Sequence, residues 1–279
     1  MKVKIATAQY QATRLESRKE FESKLSLWVQ EACEQDAELL VFPEYAGMEL
    51  VSLLEEGQQA SLGQQLLGLQ DLLPWYEDCY RQLAIKHQVT IVAGTIPVLE
   101  ENSYFNRAYV YYANGDYSYQ DKLKMTRFEK EQWAVSGTTV QVLFKHNGIS
   151  FGIAICYDAE FPLLVRELVK KGALCILVPS CTDRVAGYQR VKISCQARAI
   201  ENQCYVVQSA LVGEAGWSDA IDTNFGAAAV YTPADFGFPD DGVLAVGALN
   251  QAQWLYAELD MERVKKVRNW GQVLNHRDW

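Results

Sequence analysis

The sequence predicts an α/β fold in which mixed β-sheets are covered by helices. Strand-like apolar runs alternate with amphipathic helical patterns in both halves of the 279-residue chain, whereas the segment from Tyr104 to Ile155 consists of hairpin-like strands. Apolar residues make up 49% and charged residues 22% of the chain, which are ordinary values for a protein with a buried core. Because a purely parallel doubly wound sheet has helices between its strands, the hairpin-rich middle favours mixed sheets.

The N-terminal part of the chain alternates strands with helices. Apolar residues recur on one face of the first predicted helix, and Ser17 stands before it as an N-cap. Pro43 stops the short apolar strand that follows, because proline cannot donate a backbone hydrogen bond. The elements predicted here are a strand at 3–10, a helix at 17–35, a strand at 38–43, a helix around 72–83 and a strand at 89–96.

The middle of the chain leads to a cysteine at a strand end. Asn147-Gly148 lies between two β-rich runs and predicts a tight hairpin, whose second strand runs directly into Cys156. A helix follows, with Pro162 suited to its first turn and Gly172 to its C-terminal end. Beyond it the sequence predicts a strand at 173–179, a helix at 188–203, strands at 204–211 and 226–231, and two final strands around Asn250, with 213–242 mostly loop.

Composition excludes several classes of function. The formal net charge is −9, which disfavours nucleic acid as a partner, and no window reaches about 18 continuous apolar residues, so we expect neither a membrane span nor a membrane partner. The N-terminus lacks a secretory signal pattern, and a cytoplasmic location is therefore expected. The seven cysteines show no disulfide spacing and the three histidines lie far apart, so we expect reduced thiols, no metal site and no organic cofactor.

Three reactive side chains follow predicted strands. Cys156 ends one strand just before a helix, a placement that is expected to lower the pKa of its thiol, and Glu44 and Lys122 follow two other strands. No histidine has a comparable context, although histidine is the usual base for a cysteine nucleophile. Taken singly, each residue has an ordinary explanation, because free cysteines are often buried and most glutamates and lysines are solvated.

Together the three segments resemble a known family. The runs VFPEYAG, YQDKLKM and AICYDAEFP, in this order, closely resemble the glutamate, lysine and cysteine motifs of the nitrilase superfamily of carbon–nitrogen hydrolases. Further similarity runs nearly end to end, through KIATAQYQ, GALCILVPS and QARAIENQCYVV. The resemblance implies a four-layer αββα sandwich over a single domain, residues 1–279, with a catalytic triad of Glu44, Lys122 and Cys156. It also implies a homodimer or higher homo-oligomer, with the tail 261–279 at a subunit interface or folded back on its own chain.

The family also uses a second glutamate shortly after the lysine. Glu129 and Glu131 both fit the segment RFEKEQWAVSG, and the spacing to Gly137 together with the E-x-W context favours Glu131. In the commonest lysine motif a histidine stands two residues after the lysine, whereas here Lys124 fills that place. Lys124 therefore either points away from the site or favours a more anionic substrate.

The resemblance implies a thiol-dependent hydrolase of a non-peptide C–N bond, acting through a cysteine thioester. The expected substrate is a small linear amide, and the backbone N–H of Tyr157 is the expected oxyanion donor. Alternatives are an N-carbamoyl hydrolase or nitrilase of the same superfamily, an acyltransferase, or an inactive binding scaffold. The residues expected to contact the substrate are Tyr45, Trp133, Arg184 and Tyr188, although the aromatic residues have a packing explanation and Arg184 has a surface ion pair with Asp183 as its alternative.

Overall fold

A continuous path of β-strands runs through the protein, with helices on its outer faces. The computed structural model describes all residues, 1–279. The strands are β1 (Lys2–Gln11), β2 (Leu39–Val41), β3 (Thr90–Val92), β4 (Ile96–Glu100), β5 (Ser103–Tyr111), β6 (Tyr117–Asp121), β7 (Val135–Ser136), β8 (Leu143–His146), β9 (Ile149–Ile153), β10 (Cys175–Ser180), β11 (Tyr205–Glu214), β12 (Thr223–Asn224), β13 (Ala229–Tyr231), β14 (Val243–Val246) and β15 (Gln253–Asp260).

Eight α-helices and two 3₁₀ helices connect these strands. The α-helices are α1 (Arg18–Glu34), α2 (Glu56–Gln59), α3 (Leu62–His87), α4 (Arg127–Glu131), α5 (Pro162–Lys170), α6 (Val185–Asn202), α7 (Met261–Trp270) and α8 (Asn275–Asp278), and the 3₁₀ helices are Ala46–Leu53 and Cys156–Glu160. Ser17 caps α1 as predicted, because its hydroxyl accepts the amide of Glu20. The helix predicted around 72–83 is longer than expected, because α3 continues through Pro74 over 26 residues.

The sheet order is β4-β5-β3-β2-β1-β11-β10-β9-β8, and β1 joins its two halves. On one side β1 pairs in parallel with β2. On the other it pairs antiparallel with β15 and then, at its C-terminal end, in parallel with β11. The Asn147-Gly148 hairpin connects β8 and β9 antiparallel as predicted, with both residues at positive φ, as a tight two-residue turn requires. The α/β fold with mixed sheets and flanking helices is confirmed.

The buried apolar residues form two clusters on opposite sides of the first half-sheet. Side chains alternate along a strand, so Leu40 of β2 joins the cluster under α1 and α3, while its neighbours Leu39 and Val41 join the other cluster. That second cluster also contains residues of β9, β10 and β11 together with residues of α5 and α6. A four-layer sandwich has three apolar interfaces, and the second cluster, which joins strand residues of both half-sheets to residues of α5 and α6, is compatible with two of them.

The C-terminal tail packs against its own chain. Met261, Val264 and Val267 are buried, and Arg268 donates hydrogen bonds to the carbonyls of Gln203 and Ala173 at 2.9 and 3.2 Å. The two tail tryptophans remain outside this contact, each more than half exposed. None of the helices has the length and apolar character needed to cross a membrane.

Candidate active site

Four strands that point in the same direction end at one edge of the sheet. Each strand pairs in parallel with the next in the order β2-β1-β11-β10-β9. β6 points in the same direction, because it pairs antiparallel with β5, β5 pairs antiparallel with β3, and β3 pairs in parallel with β2. Glu44 follows β2, Lys122 follows β6, Cys156 follows β9, and Cys181 follows β10. The three predicted residues therefore reach this edge from separate parts of the sequence.

Lys122 lies between two buried carboxylates. Its Nζ is 2.7 Å from Oε1 of Glu44 and 2.8 Å from both carboxylate oxygens of Glu129. All three side chains are at most 3% exposed. The N–H group of Asn106 Nδ2 also donates to Oε1 of Glu44 at 2.9 Å and to Oε1 of Glu129 at 3.3 Å. Such a buried ionic cluster is costly unless its hydrogen bonds are satisfied, and here every oxygen of Glu129 has a donor.

The predicted second glutamate, Glu131, does not lie beside Lys122; Glu129 occupies that place. Glu131 lies in solvent, 56% exposed, and pairs with Arg127 one turn earlier on α4. Glu129 faces inward and accepts the Thr126 amide and hydroxyl, both at 2.8 Å, in a capping box that begins the helix. Residues two apart on a helix point about 200° apart, so only one of the two glutamates can reach Lys122.

The Cys156 thiol lies beside Glu44 but is protected from ionisation. Cys156 starts its 3₁₀ helix at a φ of 47°, in the left-handed region, and its thiol donates to the carbonyl of Cys181 at 3.5 Å. Burial, followed by the charge of Glu44, raises the pKa of the thiol well above its usual value, although Lys122 opposes this. The expected lowering of the pKa by a helix N-terminus is therefore wrong, because full burial and a nearby carboxylate outweigh one short turn.

The two buried carboxylates have opposite pKa shifts. Burial raises the pKa of Glu44, and Glu129 adds to this rise, although Lys122 opposes it. Burial also acts to raise the pKa of Glu129. This effect is outweighed by the positive charge of Lys122 and by the hydrogen bonds that Glu129 accepts from Lys122, Tyr45 and Thr126, so the pKa of Glu129 is lowered. Burial disfavours the ammonium of Lys122, yet the two carboxylates raise its pKa well above its usual value. Glu129 and Lys122 thus remain charged, and Glu44 is the group suited to exchanging a proton.

Three residues that support this cluster were missed in the sequence. Asn106 lies inside β5, and its one indication in the sequence was a single amide side chain within an aromatic-rich strand. Asp158 accepts the amides of Leu123 and Lys124, and so ties the lysine segment to the cysteine turn. Cys181 donates its amide to Oε2 of Glu44 at 3.1 Å, and its position just after a strand was the same signal that indicated Glu44.

The aromatic residues expected to contact substrate divide into two places. Tyr45 and Trp133 are buried and pack edge to face, with ring centroids 5.1 Å apart. The Tyr45 hydroxyl donates to Oε1 of Glu129 at 2.6 Å, so this side chain supports the second glutamate. Tyr188 is also buried and packs against Phe225, whose amide donates to the carbonyl of Thr182.

The two basic candidates lie on the surface. Arg184 is 83% exposed and pairs with Asp183, which is the alternative that its sequence context suggested. Lys124 is exposed and lines a cavity of about 430 Å³ together with Tyr157 and Phe161 of the cysteine turn. Its side chain therefore points outward from the buried charges, although the cavity adjoins the cysteine turn. No group of three or more His, Cys, Asp or Glu side chains is arranged to hold a metal ion.

Known proteins resemble this chain over nearly its whole length. The family model described as carbon-nitrogen hydrolase matches residues 4–269. A probable hydrolase of Bacillus subtilis is 32% identical over 279 residues, which cover 99% of this chain and 53% of that protein, so the chain spans about half the length of this relative. A deaminated glutathione amidase of Synechocystis is 27% identical over 270 residues, which cover 88% of this chain and 92% of that protein.

The fold is similar to that of a solved Saccharomyces cerevisiae protein described as a member of branch 10 of the nitrilase superfamily. The TM-score is 0.75 at 20% sequence identity, and the similarity covers 96% of this chain and 93% of that chain. The family match extends over nearly the whole sequence and includes all three motif residues. The chain belongs to the carbon–nitrogen hydrolase family, as its glutamate, lysine and cysteine motifs predicted.

Proposed function

We propose that this protein hydrolyses the C–N bond of a small linear amide through a thioester on Cys156. The observation that carries the proposal is the buried cluster in which one ammonium bridges two carboxylates beside the buried thiol of Cys156. A binding scaffold would gain little from burying three charged groups, since removing charges from water costs several kcal/mol per ion. Amide hydrolysis also agrees with the relative described as a deaminated glutathione amidase.

In the first step Glu44 accepts the proton of Cys156, and the sulfur attacks the amide carbonyl carbon. Glu44 suits this role because burial raises its pKa, and because its Oε2 receives only a backbone amide while Oε1 carries the Lys122 and Asn106 bonds. The thiol is not ionised in advance, so transfer to the carboxylate and attack occur together. General base assistance of this kind contributes about 10²–10⁴-fold to a rate.

The developing oxyanion is held by Lys122 and by the backbone N–H of Tyr157. The three N–H donors of Lys122 face oxygens of Glu44 and Glu129 before reaction. When Glu44 becomes protonated it is a weaker acceptor, and a Lys122 N–H becomes available for the oxyanion at the moment when negative charge develops. One such donor is worth about 10²–10³ in rate.

Collapse of the tetrahedral intermediate breaks the C–N bond and completes acylation. Glu44 returns its proton to the leaving nitrogen, which departs as ammonia or an amine and leaves the acyl group on Cys156. Glu44 then takes a proton from water as the water oxygen attacks the thioester carbon; the C–S bond breaks, the carboxylic acid leaves, and Glu44 returns the proton to the sulfur of Cys156. Glu129 stays ionised throughout and holds Lys122 in place.

The test is ammonia release from a panel of amides, N-carbamoyl acids and nitriles, with mass detection of an acylated Cys156. Cys156→Ala is expected to abolish turnover and the adduct, whereas Cys79→Ala, a change of the same chemistry on α3, is expected to keep both. Added amines or alcohols that divert more than half of the acyl group would favour an acyltransferase. Turnover that survives Cys156→Ala would remove the thiol from the mechanism.

A further inference from the structure

The half-buried Cys181 contacts both partners of the proton transfer through its backbone. Its amide donates to Oε2 of Glu44 at 3.1 Å, and its carbonyl accepts the Cys156 thiol at 3.5 Å. The position of this single peptide segment therefore sets where the carboxylate oxygen and the sulfur lie relative to each other. Whatever fixes the segment also fixes the distance that the proton must cross.

The side chain of Cys181 connects this segment to a distant loop, which begins at Asn224, the last residue of β12. Its thiol donates to Oδ1 of Asn224 at 3.2 Å. Asn224 is buried, and its own amide group is held by the carbonyls of Gly213 at 3.1 Å and Ile221 at 2.7 Å. The orientation of Asn224 is thereby determined, and only its oxygen is left to receive the thiol.

A second set of bonds fastens the next residue to the same loop. The Thr182 hydroxyl donates to the carbonyl of Phe225, and the amide of Phe225 donates to the carbonyl of Thr182, both at 2.7 Å. Residues 181–182 are thus clamped to residues 224–225 by three hydrogen bonds. The loop belongs to the stretch 213–242, which the sequence predicted to be mostly loop.

We propose that Cys181 and Asn224 form a positioning pair, through which this loop holds the backbone that aligns Glu44 with the Cys156 thiol. The inference rests on the proposed amide hydrolysis, because it assigns the pair to the proton transfer of that reaction. Neither residue is assigned a bond to the substrate. The pair acts through the amide and carbonyl of residue 181.

The pH dependence of turnover distinguishes this role from a general effect on folding. Glu44 is faced by Lys122, Glu129, Asn106 and Cys156, and these are unchanged in variants of the pair. When the backbone of residue 181 is no longer held in place, its N–H bond to the ionised carboxylate is weakened, so the pKa of Glu44 rises further. Glu44 must be ionised to accept the proton, and the acid limb of kcat/KM should therefore move to higher pH.

Cys181→Ala and Asn224→Ala are each expected to lower kcat by about 10-fold with KM within about twofold, and to move the acid limb up by about half a pH unit or more. The double variant should be no worse than either single one, because the two side chains act as one unit. Cys181→Ser, which keeps a hydroxyl donor for Asn224, should recover part of the lost kcat. Cys33→Ala, another half-buried cysteine, is the matched control.

A variant that is merely less folded would lose activity equally at every pH and leave the midpoint unchanged. That result, or a serine variant no better than alanine, overturns the positioning role. The rate at which iodoacetamide alkylates Cys156, followed by peptide mass mapping, gives a readout without any substrate, and its pH midpoint should also shift in both alanine variants. Failure of the proposed function would appear separately, as turnover that persists in Cys156→Ala.

Discussion

At the scale of single residues, the site depends on which of two nearby glutamates faces inward. Glu129 is 2% exposed and contacts Lys122, whereas Glu131 is in solvent. Their sequence contexts are nearly equivalent, since both follow Lys122 within ten residues and both precede a glycine. The deciding feature is the capping box of Thr126, which fixes where the five-residue α4 starts and hence the direction of each side chain.

Glu129→Gln is expected to lower kcat/KM on the order of 10²-fold. The substitution removes the charge that keeps Lys122 in place, and Lys122 then moves toward Glu44 and away from the oxyanion position. Loss of that negative charge also lowers the pKa of Glu44, so the acid limb of the profile moves to lower pH. Steady-state kinetics across pH provide the measurement. Glu131→Gln, on the same helix, should stay within about twofold of the original rate, and an equal loss in both variants would contradict the assignment.

At the scale of elements, the cysteine turn and the lysine segment are joined by Asp158. Its carboxylate accepts three backbone amides, those of Leu123, Lys124 and Ile155, at 2.7 to 3.1 Å. This side chain therefore couples the end of β6 to the end of β9, which do not pair as strands. The edge where parallel strands end brings the reactive residues close, and this buried carboxylate sets their spacing.

Asp158 is expected to make stability depend on pH. Burial raises its pKa to about 7, although Lys122 and the three amides oppose the rise. In the unfolded chain the pKa is about 3.9, so between about pH 4 and 7 the unfolded state has released a proton that the folded state retains. The contribution of this group to the free energy of unfolding is therefore full below about pH 4 and is lost as pH rises to 7.

Asp158→Asn removes this titration and should flatten the dependence of the unfolding free energy on pH between 4 and 7. Urea unfolding at several pH values gives the slope of the unfolding free energy against pH. The altered amide contacts are also expected to lower the unfolding free energy by about 1–3 kcal/mol at every pH, and this constant loss leaves the slope unaffected. The exposed Asp219→Asn is the control and should keep the original slope. A slope unchanged in Asp158→Asn would mean that this carboxyl does not titrate in that range.

At the scale of the whole molecule, apolar side chains remain exposed on the two helices that follow the cysteine. Leu163 of α5 is 66% exposed, and Val185, Ile193 and Ile200 of α6 are 54%, 60% and 43% exposed. Exposed apolar residues grouped on neighbouring helices indicate an interaction surface. The predicted pairing of subunits and the predicted role of the tail 261–279 at an interface stay predictions.

Replacing Ile193 and Ile200 together by lysine is expected to reduce the sedimenting mass, because pairing would then bury two unpaired charges. Sedimentation velocity at several protein concentrations measures the assembly. Leu27→Lys on α1, at a residue 67% exposed, adds a charge to a different helix and should leave the mass unchanged. If the double variant sediments like the original protein, these helices are not the contact between subunits.

The sequence by itself determined the elements and the family. Ser17, Asn147-Gly148 and Pro162 act locally, through caps, turns and a fixed φ, so their effects are readable from neighbouring residues. The placement of Glu44, Lys122 and Cys156 after strands was equally visible. The motifs then indicated the family without any knowledge of distances.

Only the tertiary structure decided how the site is charged and supported. The bond from Cys181 to Glu44 spans 137 residues of sequence, and the bond from Asn106 to Glu44 spans 62. Such contacts depend on strand register and on burial, which no local pattern encodes. The same is true of the pKa values, because the burial that raises those of Cys156 and Glu44 is created by the folded surroundings and not by the residues beside them.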